Sequence, residues 1–226
     1  MRSWQAHLRL WLVAIVALWI DLASKSWAFA PGNVRGQAII PGILDAQRSL
    51  NSGALFGSFS GWVPAFIVAS VLALLFVLYV FASSHRNQWF MHLGLAFILA
   101  GALGNLYDRA FVQTDIITTK PTADHAPGRL IGLMTSGPDA DPVVLGDYPD
   151  RQHPRKVPRS DIESIDHHGV VRDFLKLTPI AGFDYWPWVF NVADALLVLG
   201  VGIMLPVLWR ERHAHQAASP RPAPAK

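Results

Sequence analysis

Four apolar stretches, each about as long as a helix needs to cross a bilayer, constrain this chain more than any other feature. A helix rises about 1.5 Å per residue and the hydrocarbon core is about 30 Å thick, so roughly 20 apolar residues suffice. The stretches run from about Leu8 to Phe29, Trp62 to Ala82, Gln88 to Leu106 and Trp188 to Trp209. They predict an all-α membrane protein, a bundle of four transmembrane helices. Of the 226 residues 52% are hydrophobic and only 15% charged, against about 25% charged in an average soluble chain. Eleven of 16 acids and nine of 19 bases fall between residues 109 and 187, so the spans are nearly bare of charge. Disorder and coiled coil are excluded by that composition, and a disulfide scaffold or thiol catalysis by the absence of cysteine. The net charge of +3 does not point to nucleic acid, because the bases flank apolar runs instead of forming one stripe.

Lysines and arginines near span ends set direction. Arg2, Arg9, Arg86, Arg210, Arg212, Arg221 and Lys226 belong on the cytoplasmic side, which leaves about 31–61 and 109–187 outside. The first span imitates a cleavable leader, with Ala28-Phe29-Ala30 as a small-x-small site. Asp21 and Lys25 just before that site favour a retained helix. The segment 210–226 is Pro-rich and polar and reads as a disordered cytoplasmic tail.

An ionisable group inside a span costs about 2.5 to 3.5 kcal/mol on insertion scales, so each one is a functional candidate. Asp21, Lys25, Asp108, Arg109 and Asp194 are those groups. By helix rise, Asp21 lies about 20 Å in from the cytoplasmic end, and Lys25 follows one turn later on the same face. Asp108 and Arg109 come about 30 Å along the third span, and Asp194 roughly 9 Å in from the outside on the fourth. Three helices thus bring carboxylates to one depth. A plainer account keeps Asp21 and Lys25 as a local pair, Asp108 and Arg109 as interfacial flanks and Asp194 as a helix start. Asn51, Gly53, Asn105, Asn191 and Ala193 sit beside these charges, and asparagine offers both donor and acceptor to orient a carboxylate. Gly101 and Gly104 read as helix-packing positions.

No G-x-S-x-G elbow and no H-E-x-x-H motif is present. His125, His153, His167 and His168 lack metal spacing, His92 stands alone in an apolar helix, and Asp139-Ala140-Asp141 is a weak calcium signal, so no metal or cofactor is expected. Carboxylate chemistry remains. Two carboxyls a few ångströms apart share a proton, one then serving as base and the other as acid in amide hydrolysis. Membrane carboxylates also serve as proton relays in transporters.

D-L-A-S-K at 21–25, N-S-G-A-L-F-G at 51–57, G-A-L-G-N-L-Y-D-R at 101–109 and F-N-V-A-D at 190–194, in this order, resemble lipoprotein signal peptidase, also called signal peptidase II. The resemblance spans most of residues 8–209. It implies an inner-membrane aspartic endopeptidase that cuts prolipoproteins before a diacylglyceryl-modified cysteine; a monomer among membrane lipid is expected, with both termini cytoplasmic by the Lys and Arg count and the active site at the periplasmic face. It assigns one catalytic aspartate to Asp194. The other falls in Gly169-Val170-Val171-Arg172-Asp173-Phe174, which makes it Asp173 and displaces the Asp108 favoured by depth. Asp108, Arg109, Asn105 and Asn191 become supporting residues, Asp21 and Lys25 a structural pair, and Asn51 a substrate-side asparagine. It also suggests a small periplasmic β-rich cradle over 31–61, and a lipid anchor held among Phe56, Trp188 and Phe190.

Two features depart from the family. Arg172 stands where valine is usual, and a cation beside Asp173 would favour its charged form and lower the pH optimum. About 60 residues separate the D-R pair from the Asp173 segment, where the family has a short loop. This enlarged periplasmic loop, an insertion over about 110–166 in a peptidase unit of 1–209, has seven prolines between 120 and 160 and reads as an external flap without much core. The rival readings are a small proton-coupled transporter and a non-catalytic lipoprotein-binding membrane protein.

Overall fold

The structure, a computed structural model, describes residues 4–34, 36–53, 63–85, 87–121, 128–180 and 182–218, without the side chains of 63, 64, 66 and 211–218. Among the residues singled out above, Arg2, Ala54, Phe56, Gly57, Trp62, Arg86, His125, Arg221 and Lys226 lie outside the described residues, as does the side chain of Arg212.

The helices are α1 (Trp4–Phe29), α2 (Val63–Ser83), α3 (Trp89–Phe111) and α4 (Val192–Ala218). Helix α4 therefore continues as helix into the segment read as a tail. Among the described residues, α1, α3 and α4 are long and apolar enough to cross a membrane, whereas α2 offers only the shorter apolar stretch Ile67–Ser83. Helix α3 is central: 56% of its most apolar window is buried, against 28% in α1 and 22% in α4. The buried positions of α1, Ala6, Leu10, Ala14, Ala17, Asp21, Lys25 and Ala28, recur every three or four residues and form one stripe. Its opposite face exposes Trp11, Ile15 and Trp19. Charge inside and apolar surface outside is the pattern expected where the solvent is lipid. Helices α3 and α4 pack tightly at glycines. A Cβ on Gly94 would lie 2.8 Å from Met204 Cγ, one on Gly200 2.7 Å from Gly94 O, and one on Gly101 2.5 Å from Ala193 O. His92 is a packing residue, its Nε2 3.0 Å from Ser84 Oγ and its ring edge-on to Phe81.

An all-α bundle is not what forms. Among the described residues, nine strands in two antiparallel sheets stand alongside the four α-helices. The first sheet has the order β1-β2-β8-β9, from β1 (Ala38–Ile40), β2 (Leu44–Asn51), β8 (Val171–Leu177) and β9 (Val189–Phe190). Strands β1 and β2 occupy the 31–61 segment, but β2 pairs with β8 more than a hundred residues later. The second sheet, β6-β5-β4-β3-β7, is the insertion: β3 (Gln113–Thr119), β4 (Arg129–Met134), β5 (Val143–Gly146), β6 (Arg155–Val157) and β7 (Ile162–Gly169).

The insertion also has a core of its own, contrary to the flap expected. Ile117, Val143, Leu145, Val157 and Ile162 are buried together, and each such side chain contributes about 1.5 to 3 kcal/mol of burial. The strands are short and the segments between them carry the prolines, so no long alternating run announces them. Its two ends are held together: Gln113 pairs with Gly169, and Val170 N donates to Val112 O at 3.0 Å. The chain leaves α3 and returns to β8 at one place, so the added length does not displace Asp173. Gly169 permits that return, because a Cβ there would lie 1.8 Å from Arg109 O.

Candidate active site

Asp194 sits in the first turn of α4. Asn191, just ahead of the helix, and Asp194 cap it reciprocally: Asp194 N donates to Asn191 Oδ1 at 3.0 Å, and Asn191 N donates to Asp194 Oδ2 at 3.1 Å. This capping box satisfies helix-end N–H groups and holds the carboxylate still. Asn105 Nδ2, from α3, donates to Asp194 Oδ1 at 2.9 Å.

Asp173 is 2% exposed, on β8. Asn191 Nδ2 donates to its Oδ1 at 2.6 Å, and Asn51 Nδ2, from β2, to its Oδ2 at 3.1 Å. Asn51 is held in turn by Gly53 N, which donates to Asn51 Oδ1 at 2.9 Å across a glycine of φ +87°. One asparagine, Asn191, thus hydrogen-bonds both carboxylates. Burial and then the nearby charge of Asp194 push the Asp173 carboxyl up to about 7, outweighing the two asparagine hydrogen bonds and Lys25, which act the other way.

Below the pair runs a chain of buried charges. Lys25 Nζ lies 2.9 Å from Asp21 Oδ2 and 3.5 Å from Asp108 Oδ2, all three side chains being inaccessible. It also donates to Asn105 Oδ1 at 3.0 Å. Asp21 Oδ1 accepts from Ala193 N at 2.8 Å, so a carboxylate of α1 helps cap α4. Gly104 leaves room for it, since a Cβ there would lie 2.2 Å from Asp21 Oδ2. Asp108 accepts from Arg172 three times, from N at 3.0 Å, Nε at 3.2 Å and Nη2 at 2.7 Å. Two acids and two bases balance there, as buried charges must. Arg109 is electrostatically coupled to Asp173, Asp194 and Asp108.

The residues singled out from sequence, Asp21, Lys25, Asn51, Gly53, Asn105, Asp108, Arg109, Asp173, Asn191, Ala193 and Asp194, therefore surround one place. The effect expected of Arg172 does not arise. Neighbours on a strand point to opposite faces, so Arg172 turns to Asp108 and does not hold Asp173 in its charged form. Asp108 is consumed by Lys25 and Arg172. Trp188 and Phe190 stand nearby on and before β9, Trp188 edge-on to Trp186 at 5.2 Å between centroids. Tyr148, from the insertion, was not foreseen: it meets the Phe29 ring edge-on and joins the packing around Leu50 and Phe174. Nothing in its Pro-rich surroundings marks it as half-buried.

A family model described as signal peptidase (SPase) II matches residues 13–210. A lipoprotein signal peptidase of Clostridium novyi is 34% identical over 103 residues, 45% of this chain and 70% of that protein. One from Desulfitobacterium hafniense is 26% identical over 205 residues, 89% of this chain and 93% of that protein. A solved structure described as a bacterial membrane enzyme superposes with a TM-score of 0.57 over 88% of this chain and 91% of its own, at 21% identity, which shows a shared fold. With the matched profile reaching from within α1 into α4 and including both carboxylate-bearing segments, the chain belongs to the signal peptidase II family, the membrane proteases that remove signal peptides from prolipoproteins.

Proposed function

We propose that this protease is of the aspartic type, with Asp173 and Asp194 as the catalytic pair, cutting on the N-terminal side of a diacylglyceryl-modified cysteine. The observation that carries the reading is the sharing of Asn191 between two carboxylates, one of them pushed up to about 7. Asp173 carries the proton and Asp194 is the base. Asp194 takes a proton from water as the water oxygen attacks the scissile carbonyl carbon, and Asp173 gives its proton to the carbonyl oxygen. The tetrahedral intermediate collapses: its hydroxyl returns a proton to Asp173 as the carbonyl re-forms, and the departing amine takes the proton held by Asp194. Asn51, Asn105 and Asn191 keep the carboxylates oriented, and no metal or cofactor enters these steps. Asp21, Lys25, Asp108 and Arg109 are positioning residues. The chain works as a monomer in the bacterial inner membrane, both termini cytoplasmic and the pair at the periplasmic face. Three helices present their acids at one depth, which suits an interfacial substrate and not a relay through the bilayer.

The test is cleavage of a lipidated precursor by purified protein in detergent. Asp173→Asn and Asp194→Asn each abolish cleavage with expression intact, whereas Asp141→Asn, exposed on the insertion, retains it. Equal activity in all three overturns the assignment, and loss of wild-type activity with a chelator favours a metal mechanism.

A further inference from the structure

The insertion does more than return the chain to β8. Where it leans on the first sheet and on the outer end of α1 it borders a half-open cavity of about 350 Å³, lined by Phe29, Arg48, Ser49, Leu50, Arg129, Ile131, Asp147, Tyr148 and Arg155. Three of these are arginines, and Asp147 is the only carboxylate among them. Two of the arginines are held in place by the fold. Arg48 Nε donates to Ala28 O at 2.7 Å and its Nη2 to Ala30 O, closing the carbonyl end of α1, and its guanidinium lies over the Phe29 ring. Arg155 Nη2 donates to Ile131 O at 3.1 Å and to Asp147 Oδ1 at 3.3 Å. Arg129, half-buried at the start of β4, interacts electrostatically with His168 but makes no side-chain hydrogen bond or ion pair among the described residues.

Three cations against one carboxylate leave this largely polar cavity with an excess of two positive charges, beside the apolar side chains of Phe29, Leu50, Ile131 and Tyr148. Like charges gathered in a partly desolvated space repel, and an anion relieves that repulsion. Guanidinium groups present planar forks of N–H donors that match phosphate oxygens. Phe29 is the last residue of α1, so the cavity stands at the outer end of a membrane helix, at headgroup level.

We propose that this cavity is a phosphate-binding site in which Arg48, Arg129 and Arg155 hold a phosphodiester, the headgroup of an anionic phospholipid, between the insertion and the first sheet. It is separate from the carboxylate pair and does not depend on the catalytic assignment. Arg129 is the decisive residue, because the other two already have structural partners. An anion held there ties β4 to β2 and rests the insertion on the membrane surface.

The experiment uses the full chain in a maltoside detergent, which has no phosphate. Three soluble probes are titrated: dihexanoyl phosphatidylglycerol, inorganic phosphate, and dihexanoylglycerol as the phosphate-free control. Binding is read by the unfolding midpoint and by broadening of the probe's ³¹P resonance. Wild-type protein is stabilised and broadens the phosphatidylglycerol signal, dihexanoylglycerol has no effect, and Arg129→Gln weakens binding by about tenfold or more. Inorganic phosphate binding as tightly, with the same dependence on Arg129, keeps the phosphate site but overturns the lipid as its source. Absence of ³¹P broadening with wild-type protein, or binding unchanged in both Arg129→Gln and Arg155→Gln, overturns the proposal. The wild-type ³¹P result decides it even if either variant fails to fold.

Discussion

Asn191 Nδ2 donates to Asp173 Oδ1 at 2.6 Å while the Asn191 backbone N–H donates to Asp194 Oδ2 at 3.1 Å. A single residue ahead of α4 thereby sets the distance and orientation of two acids that come from a strand and a helix. Asn191→Ala removes the side-chain half of this arrangement and the reciprocal cap on Asp194 N. Cleavage is expected to fall on the order of 100-fold, as for other small misplacements of reacting groups, with cap loss costing about 1 kcal/mol of stability. Initial rates of precursor cleavage alongside thermal unfolding separate the two effects.

The pH dependence follows from the raised Asp173 carboxyl. Its value in the folded protein is about 7, against an ordinary 3.8. Its contribution to stability is fully present below the ordinary value, declines as the unfolded chain ionises while the folded protein keeps its proton, and is lost once pH rises through about 7. Cleavage that needs the protonated acid falls on the alkaline side with an apparent pKa near 7. Asn51 stabilises the charged form, so Asn51→Ala is expected to move that limb to higher pH. A limb that stays where it was in Asn51→Ala contradicts the assignment of the limb to Asp173.

Asp108 neutralises two buried cations, Lys25 at 3.5 Å and Arg172 at 2.7 Å. Removing one member of a buried ion network leaves its partners uncompensated and costs about 3 to 5 kcal/mol. Asp108→Asn should therefore destabilise strongly. The double variant Asp108→Asn/Arg172→Val should lose less than the sum of the single variants, because it also removes one stranded cation. Denaturant unfolding of the four proteins in detergent gives the coupling directly.

Gly169 stands where β7 passes over the end of α3, and an added methyl would meet the Arg109 carbonyl at 1.8 Å. Backbone cannot yield as a flexible side chain does, so Gly169→Ala is expected to cost roughly 1 to 3 kcal/mol or more through overpacking. Gly137, with nothing within 4 Å of its Cβ position, is the matched control. Gly137→Ala should leave the unfolding midpoint unchanged.

Much of the candidate site was legible because membrane insertion penalises charge residue by residue. Asp21, Lys25, Asp108, Arg109 and Asp194 stand out against apolar neighbours without any knowledge of the fold, and helix rise places them at a common level. Asp173 was different. It lies among eleven acids in a long external segment, and it was the motif around it, not its local chemistry, that singled it out. Arg172 was misread for a related reason: adjacency in sequence suggested adjacency in space, whereas the alternation of a strand sends the two side chains apart.

The amino-acid sequence by itself determined the long apolar helices α1, α3 and α4 and the acids they carry, since hydrophobic length and the cost of intramembrane charge are properties of contiguous segments. Tertiary structure decided which acid faces which: β2 finds β8, the ends of the insertion meet at Gln113 and Gly169, and Arg172 is drawn to Asp108. Those pairings join residues many tens of positions apart. Short strands separated by proline-bearing connections carry too little local signal to announce such partners, and only simultaneous packing and charge compensation select them.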